Sequence, residues 1–114
     1  MAQKQKIKLI GFDFDSTLVY YRNATYSWEL ISKSLGSVKE QETMFKAYHN
    51  GEFDYLTWAR KSVDMFKRYG LTRNRLKNLF YDEMELIQGV DELFAALKKK
   101  GIKSAVISGG IKNV

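Results

Sequence analysis

The stretch IGFDFDSTLVY, residues 10–20, places two carboxylates directly behind an apolar run. The run ends at Phe12, and Asp13 and Asp15 follow it. Because burying a carboxylate costs free energy, a strand that only fills a core does not end in two of them. Two readings stay open. One is a strand that meets solvent before a polar turn. The other is a catalytic pair at the carboxyl end of a parallel strand, where α/β proteins bind their ligands.

A second polar turn is predicted near the other end of the sequence. Residues 89–101 have the pattern of an amphipathic helix, and residues 102–108 predict a buried strand that runs into Gly109 and Gly110. With a first buried strand over residues 6–13, they predict a right-handed parallel βαβ unit. Both strands then end on the same side of the sheet. The helix residues expected to face inward are Val90, Leu93, Phe94 and Leu97.

Four helices are predicted between these strands. The first covers residues 24–35, and the spacing of Ser37 and Glu40 indicates a capping box at the start of the second. Asp54 and Thr72 are the expected caps of the third and fourth helices. The apolar face expected for the third helix consists of Leu56, Ala59, Val63 and Phe66.

The predicted fold class is α/β, with part of a Rossmann-like core and an inserted helical cap. Residues 1–21 and 89–114 form the core, with two parallel strands and one helix. Residues 22–88 form the cap of about four helices, and no strand is predicted there. An insertion after the first strand sits over the carboxyl ends of the strands, above Asp13 and Asp15.

Composition limits the class of protein. The 114 residues suffice for one domain. The net charge of +6 is spread along the chain, and the densest basic run is only Lys98–Lys100, so no nucleic-acid partner is expected. No apolar run approaches the ~20 residues of a membrane span, so no membrane partner is expected either. The absence of cysteine fits a cytoplasmic protein.

The two carboxylates allow more than one chemistry. Asp13 and Asp15 lie two residues apart, so an extended backbone turns both side chains to one side. One can stay ionised as a nucleophile while the other holds a proton as an acid. Alternatively, both bind a hard cation such as Mg²⁺. Ser108 adds a hydroxyl, and the glycines behind it let the backbone approach an anion, which suits phosphoryl transfer.

These residues resemble a known family. DFDSTLV at residues 13–19 and VISGG at 106–110 are similar to the first two motifs of the haloacid dehalogenase superfamily. NGEFDYLTWARKSVDMF at 50–66 and GVDELFAALKKKGIKSAVISGG at 89–110 look most like its phosphoserine phosphatase branch. Each motif is moderately specific alone. Both together, in order and around a helical insertion, are highly specific.

The resemblance implies a role for each motif residue. Asp13 would attack phosphorus and form an aspartyl-phosphate, and Asp15 would protonate the leaving alcohol and then activate water. Both would hold Mg²⁺, Asp13 through its carboxylate and Asp15 through its main-chain carbonyl. The implied substrate-binding residues of the two turns are Phe14, Ser16, Thr17, Ser108, Gly109 and Gly110.

Two positions depart from the phosphoserine pattern. Arg22 falls where the branch has a glutamate for the substrate ammonium. Ser62 falls near the position of a cap arginine that would hold the substrate carboxylate, and Arg60 lies two residues away. Arg22 and Arg60 are therefore predicted to contact substrate. Arg22 suits an anionic or polyhydroxyl group better than an ammonium.

The predicted parent function is Mg²⁺-dependent hydrolysis of a small phosphorylated metabolite. The alternatives are phosphotransfer, as in mutases of the same superfamily, or a truncated non-catalytic fragment. Dehalogenation is disfavoured because it needs no acid at Asp15. The family's third-motif lysine and fourth-motif acids have no match here. We therefore expect an N-terminal portion with little activity alone, and homo-oligomers through exposed sheet edges.

The other chemistry-bearing side chains have structural explanations. His49 is a single histidine near a helix end without an acid or nucleophile partner, so a surface position is expected. Trp28, Trp58 and the pair Tyr20 and Tyr21 could line a substrate pocket, but packing between cap helices is the expected role.

Overall fold

The computed structural model describes residues 6–110 and shows an α/β fold. The elements, in chain order, are β1 (Leu9–Phe12), β2 (Val19–Tyr21), α1 (Ser27–Leu35), α2 (Val38–His49), α3 (Tyr55–Arg68), α4 (Arg73–Glu83), β3 (Met84–Leu86), α5 (Val90–Lys99) and β4 (Lys103–Val106). The predicted fold class is confirmed. Two parallel strands and a helix carry a four-helix insertion between them.

Strands β1 and β4 pair in parallel and form the predicted βαβ unit with α5. Leu9 is in register with Lys103, and Phe12 is in register with Val106. The Ile107 N–H donates to the Phe12 carbonyl at 2.8 Å, which extends the pairing one step past β4. The residues that follow the two strands therefore leave the sheet side by side.

The predicted burial is wrong for β4 and partly wrong for β1, in which Ile10 and Phe12 are half-buried. Leu9 is 61% exposed, Ile107 is 72% exposed, and every residue of β4 is exposed. The physical reason is coverage. Helix α5 packs on one face of the sheet, with Phe94 against Phe12, while no other described helix lies on it. Leu93 of α5, predicted to face inward, is exposed as well.

A second sheet joins β2, which precedes the helical insertion, to β3, which lies within residues 22–88. No strand is predicted in that segment, so β3 corrects the expectation. Strand β2 pairs antiparallel with β3, and Tyr21 is in register with Met84. Each of these strands has only three residues, too few for the alternation that identifies a strand in a sequence. Helix α4 also runs directly into β3, so no break in the sequence marks the start of that strand. The hairpin-like pair buries Val19 and Tyr21 under the cap helices.

The predicted helix caps are confirmed at two of three positions. Asp54 accepts a hydrogen bond from the Thr57 N–H at 2.8 Å, and Thr72 accepts one from the Arg75 N–H at 3.1 Å. Ser37 was expected to cap α2, and this is wrong. Its hydroxyl is buried and has no hydrogen-bond partner among the described residues, and its backbone (φ −104°, ψ 17°) is not extended as a capping residue requires.

The hydrophobic core lies where the inserted helices pack on β2. It joins β2, α1, α3 and α4 with Val90 at the start of α5, and its fully buried members include Ile31, Met65 and Phe66. The predicted face of α3 is partly wrong, because Leu56 and Val63 are exposed. The face that packs on α1 and α2 consists of Trp58, Ser62, Met65 and Phe66. Within residues 6–110, no helix is long and apolar enough to cross a lipid bilayer.

Candidate active site

Asp13 stands where β1 ends, on the exposed side of the sheet edge. Its Oδ1 accepts a hydrogen bond from the Phe14 N–H at 2.9 Å, which orients the carboxylate toward the following turn. Its Oδ2 accepts no hydrogen bond from a described residue. Asp13 therefore presents an oriented carboxylate with one open oxygen, as a nucleophile or a metal ligand requires.

Asp15 is held by three donors. The Tyr21 hydroxyl donates to Oδ1 at 2.6 Å, and the Ser27 N–H and hydroxyl both donate to Oδ2 at 3.1 Å. Tyr21 belongs to β2 and Ser27 begins α1, so a strand and the first inserted helix together orient this side chain. A carboxylate held at both oxygens keeps one position, which is what a group that hands protons to a substrate needs.

The Tyr21 hydroxyl, which donates to Asp15, lies in surroundings that raise its pKa. Burial of the Tyr21 ring raises the pKa of its hydroxyl well above the ordinary value, and the hydrogen bond to Asp15 raises it further. Both causes destabilise the phenolate form, because burial removes it from water and the neighbouring carboxylate repels it. Tyr21 consequently stays a hydrogen-bond donor throughout the physiological pH range.

The turn after Asp15 is tight and strained. Ser16 has φ 62°, the left-handed region that non-glycine residues seldom adopt, and its hydroxyl donates to the Thr25 carbonyl at 2.7 Å. The Phe14 carbonyl accepts from the Thr17 and Leu18 N–H groups at 3.1 and 3.0 Å. Strain of this kind persists where the surrounding contacts over-determine the backbone, and such places are often functional sites.

The second turn, Ser108–Gly110, meets the cap. The Trp28 indole N–H donates to the Gly109 carbonyl at 3.0 Å, and the Gly110 N–H donates to Ser108 Oγ at 3.0 Å. A Cβ atom on Gly110 would lie 3.1 Å from Ser108 Oγ and 3.2 Å from Ser27 Oγ. A side chain at position 110 would therefore press on the Ser108 and Ser27 hydroxyls, where the turn and the start of α1 come close together.

One cavity of about 420 Å³ collects these groups. Its polar wall contains both aspartates and the two turns, and its other wall comes from cap aromatic side chains. The lining residues are Asp13, Asp15, Ser16, Thr25, Tyr26, Trp28, Tyr55, Trp58, Ser108, Gly109 and Gly110. An acidic pair thus faces a hydroxyl and glycine amides across a space large enough for a small ligand.

Four residues of the predicted site lie elsewhere. Phe14 and Thr17 do not line the cavity and act through the backbone of the turn. Arg22 forms an ion pair with Glu85 across the β2–β3 pair. Arg60 lies on the exposed face of α3 and does not reach the cavity.

Several aromatic or hydroxyl residues of the site are absent from the predicted site residues. Tyr21 and Ser27 orient Asp15, while Thr25, Tyr26 and Tyr55 line the cavity. The Trp28 and Trp58 rings pack on each other and also line the cavity. Packing and pocket lining, the two roles considered from the sequence, are therefore both present. Only the sequence proximity of Tyr21 to the acidic pair could have indicated its part. His49 lies on the surface against the Phe45 and Tyr48 rings, as expected.

A magnesium ion fits the oxygen atoms that this site leaves open. The open Asp13 Oδ2 and the Asp15 main-chain carbonyl accept no hydrogen bond from residues 6–110. Mg²⁺ prefers oxygen ligands, and it commonly binds one or two carboxylates together with water and substrate phosphate. In that part of the chain no group of three metal-binding side chains occurs. The two aspartates are therefore the protein's contribution to such a site within the described residues.

Comparison with known proteins identifies the family of this chain. A family model of haloacid dehalogenase-like hydrolases matches residues 7–114, which is nearly the whole chain. The chain belongs to the haloacid dehalogenase-like hydrolase family. The resemblance inferred from DFDSTLV and VISGG is thereby confirmed.

Phosphoserine phosphatases are among the similar haloacid dehalogenase-like proteins. The chain is 34% identical over 107 residues to the one from Saccharomyces cerevisiae and 32% identical over 104 residues to the one from Albidiferax ferrireducens. These matches cover 94% and 90% of this chain. The chain spans 33% and 41% of the length of these two relatives.

Solved structures of the family share the fold. A haloacid dehalogenase (HAD) family hydrolase from Salmonella enterica serovar Typhi superimposes with a TM-score of 0.75 at 28% identity, over 92% of this chain and 34% of that one. A phospho-aspartyl intermediate analogue of phosphoserine phosphatase superimposes with a TM-score of 0.62 at 28% identity, over 94% of this chain and 48% of that one.

Proposed function

We propose that this site belongs to a magnesium-dependent phosphatase that hydrolyses a small phosphomonoester through an aspartyl-phosphate. The observation that carries the proposal is the single cavity in which Asp13 and Asp15 face Ser108 and its glycines. Membership in the hydrolase family and the likeness to a phospho-aspartyl analogue of phosphoserine phosphatase support it.

In the first step, an oxygen of Asp13 attacks phosphorus and the bond from phosphorus to the ester oxygen breaks. Asp15 gives its proton to the departing alkoxide, so the alcohol leaves neutral. Ser108 and the Gly109 amide bind the phosphoryl oxygens, where negative charge must be stabilised. The Gly110 N–H donates to Ser108 Oγ and so positions that hydroxyl. The product is an acyl phosphate on Asp13.

In the second step, Asp15 takes a proton from a water molecule, and the water oxygen attacks the same phosphorus atom. The bond between phosphorus and Asp13 breaks, which releases inorganic phosphate and restores the carboxylate. Asp15 again holds the proton that the next cycle needs. Tyr21 and Ser27 keep Asp15 in place through both transfers.

A magnesium ion held by Asp13 and the Asp15 carbonyl would reduce the repulsion between the carboxylate and the phosphate dianion. Positive charge from a metal ion is needed because the described lining of the cavity contains no lysine or arginine. Phosphoryl transfer depends on positive charge near the transferred group. We therefore propose that these 114 residues react slowly by themselves, and this stays a prediction.

We further propose the division into core residues 1–21 and 89–114 and cap residues 22–88. The pairing of β2 with β3 ties the end of the first segment to the cap. A cytoplasmic location also stays a prediction, supported by the absence of cysteine.

The test is trapping of the phosphorylated aspartate. The chain is mixed with Mg²⁺ and p-nitrophenyl phosphate, quenched in acid and weighed by intact-mass spectrometry. We expect a fraction of the chain to gain one phosphoryl group. Asp13→Asn should abolish the gain, whereas Asp15→Asn should increase it because the second step then lacks its base.

The matched control is Asp82→Asn, which removes an exposed carboxylate of α4 outside the cavity. It should leave the gain in mass unchanged. A phosphoryl group that survives in Asp13→Asn would contradict the assignment of the nucleophile. No adduct in any variant, with no phosphate released, would contradict the proposed function.

A further inference from the structure

The catalytic cavity has an unusually aromatic wall opposite the aspartates. Four rings line it, those of Tyr26, Trp28, Tyr55 and Trp58. The Trp28 and Trp58 centroids lie 5.4 Å apart and the Tyr55 and Trp58 centroids lie 5.5 Å apart, with tilts of 43° in both pairs. Tilted rings at this spacing form a concave apolar surface that accepts another ring by offset stacking or edge contact.

Trp58 contributes its ring to this wall, and not its polar atom. The residue is 8% exposed, and its indole N–H has no hydrogen-bond partner among residues 6–110. The Trp28 N–H, by contrast, is occupied by the Gly109 carbonyl. Both indoles therefore meet the cavity as apolar surfaces.

Charge in the cavity is confined to one end. Asp13 and Asp15 are its only charged lining residues within the described chain. A serine leaving group would bring a carboxylate and an ammonium. The carboxylate would find no cation in this lining, and a desolvated charge without a partner is costly. Arg22 and Arg60, the two predicted cationic contacts, lie outside the cavity.

A second, larger cavity continues the same surface. It measures about 670 Å³ and shares Tyr26, Trp28 and Trp58 with the catalytic cavity. Val38 and Phe45 add to its apolar lining. Of its four charged residues, Glu29 and Lys33 pair with each other at 2.8 Å, and Glu42 and Lys46 also line the cavity. The cap thus offers space and apolar contact beyond the reach of a three-carbon alcohol.

We infer that the alcohol part of the substrate is a flat apolar group, an aryl group, that stacks on Trp28 and Trp58 while its phosphate faces Asp13. This inference rests on the proposed function and specifies its substrate class. The phosphoserine phosphatases among the relatives would then differ from this chain in the group that the cap recognises.

The test compares binding of four probes to the 114-residue chain in the presence of Mg²⁺. They are phenyl phosphate, phosphoserine, phosphocholine and inorganic phosphate. The chain has two tryptophans, both in the site, so the two indole N–H signals in a nitrogen-15 NMR spectrum report binding directly. Phosphorus NMR of the same samples measures how much of each ester remains, so that indole shifts are compared while the ester is still present.

We expect phenyl phosphate to bind about tenfold more tightly than phosphoserine, with both indole signals shifted. Tyr26→Ala should lower that preference about two- to fivefold without weakening binding of inorganic phosphate. Tyr26 is half exposed, so the variant should fold, which circular dichroism checks. Tyr81→Ala removes a tyrosine that is far more exposed and lies outside both cavities, and it should change nothing.

The outcomes separate this inference from the proposed function. If phosphoserine binds as tightly as phenyl phosphate while inorganic phosphate still binds, the aryl assignment is overturned alone. If phosphocholine binds most tightly, the rings recognise a cation, and the aryl assignment is again overturned. If no probe binds, inorganic phosphate included, the proposed function is overturned together with it.

Discussion

The cap and the β1–β4 sheet differ in where their apolar residues lie. The cap buries Ile31, Met65 and Phe66 almost completely, whereas the sheet leaves Leu9 and Ile107 exposed. Both regions have the apolar content of a core. The difference shows that apolar periodicity predicts which face of an element can be buried, while burial itself depends on a second layer. The cap has that layer within the described chain, and the sheet has only α5.

The largest expected effect is a core truncation in the cap. Phe66→Ala should lower the free energy of unfolding by about 3–5 kcal/mol, because a 1% exposed ring leaves a cavity behind. Leu9→Ala in the sheet should cost about 0.5 kcal/mol or less, as exposed substitutions do. Urea denaturation followed by circular dichroism measures both. Equal losses would mean that the two regions are buried alike.

Next in size is the pH dependence that Tyr21 gives the cap. Because its pKa is raised in the folded chain, Tyr21 contributes stability that is complete below the unfolded pKa of about 10. That contribution is lost as the pH rises above this value. Tyr21→Phe should therefore lose about 1 kcal/mol at neutral pH and show a shallower fall in stability above pH 10.

The check on Tyr21 is a pair of urea titrations, at neutral pH and above pH 10, for both proteins. Exposed tyrosines titrate in both proteins, so only the difference between them reports Tyr21. Parallel curves would show that the buried hydroxyl of Tyr21 does not stay protonated in the fold.

A smaller loss of stability should distinguish Thr72, which caps its helix, from Ser37, which does not. Thr72→Ala removes the acceptor for the Arg75 N–H and should destabilise the chain by about 1 kcal/mol. Ser37→Ala should be neutral or slightly stabilising, because its buried hydroxyl has no partner among the described residues. Thermal denaturation of the two variants decides. A larger loss for Ser37→Ala would restore the capping box that the structure does not show.

The smallest effect on stability is expected at the sheet edge, where association is the better measure. Strands with open edges pair with other chains, so we expect self-association that increases with concentration. Leu9→Lys should reduce it in sedimentation velocity without changing the unfolding midpoint. Leu86→Lys, a similarly exposed strand position on β3, is the matched control and should not. A reduction by the control alone would locate the contact on the cap.

Much of the fold could be predicted from local signals. Asp54 and Thr72 marked real helix starts, since a side-chain acceptor for a free N–H is a local requirement. The β2–β3 pair was missed because three-residue strands carry too little periodicity, and β3 continues a helix without a break. The buried face of α3 is predicted incorrectly because Trp58 and Leu56 are both apolar, so the sequence pattern does not distinguish the two positions. Only the position of α1 and α2 decides which one is buried.

The site residues also divide into those that local sequence signals predict and those that depend on tertiary contacts. Asp13, Asp15 and Ser108 could be placed together because parallel strands end on one side of a sheet. Arg22 could not, since its pairing with Glu85 depends on the unpredicted strand pair. The hydrogen bonds from Tyr21 and Ser27 to Asp15 could not be predicted either, because they depend on where α1 begins relative to the acidic turn.

The parallel pairing of β1 with β4 also sets an order of assembly. Leu9 finds Lys103 only after the chain between them has been made, whereas the contacts among the cap helices join near neighbours in sequence. At ribosomal speeds of roughly 5–20 residues per second, β1 waits about 5 to 20 s for its partner. The strand that precedes the acidic pair thus emerges before the inserted helices and pairs with β4 only after them, so those helices are the element on which a nascent chain can begin to fold.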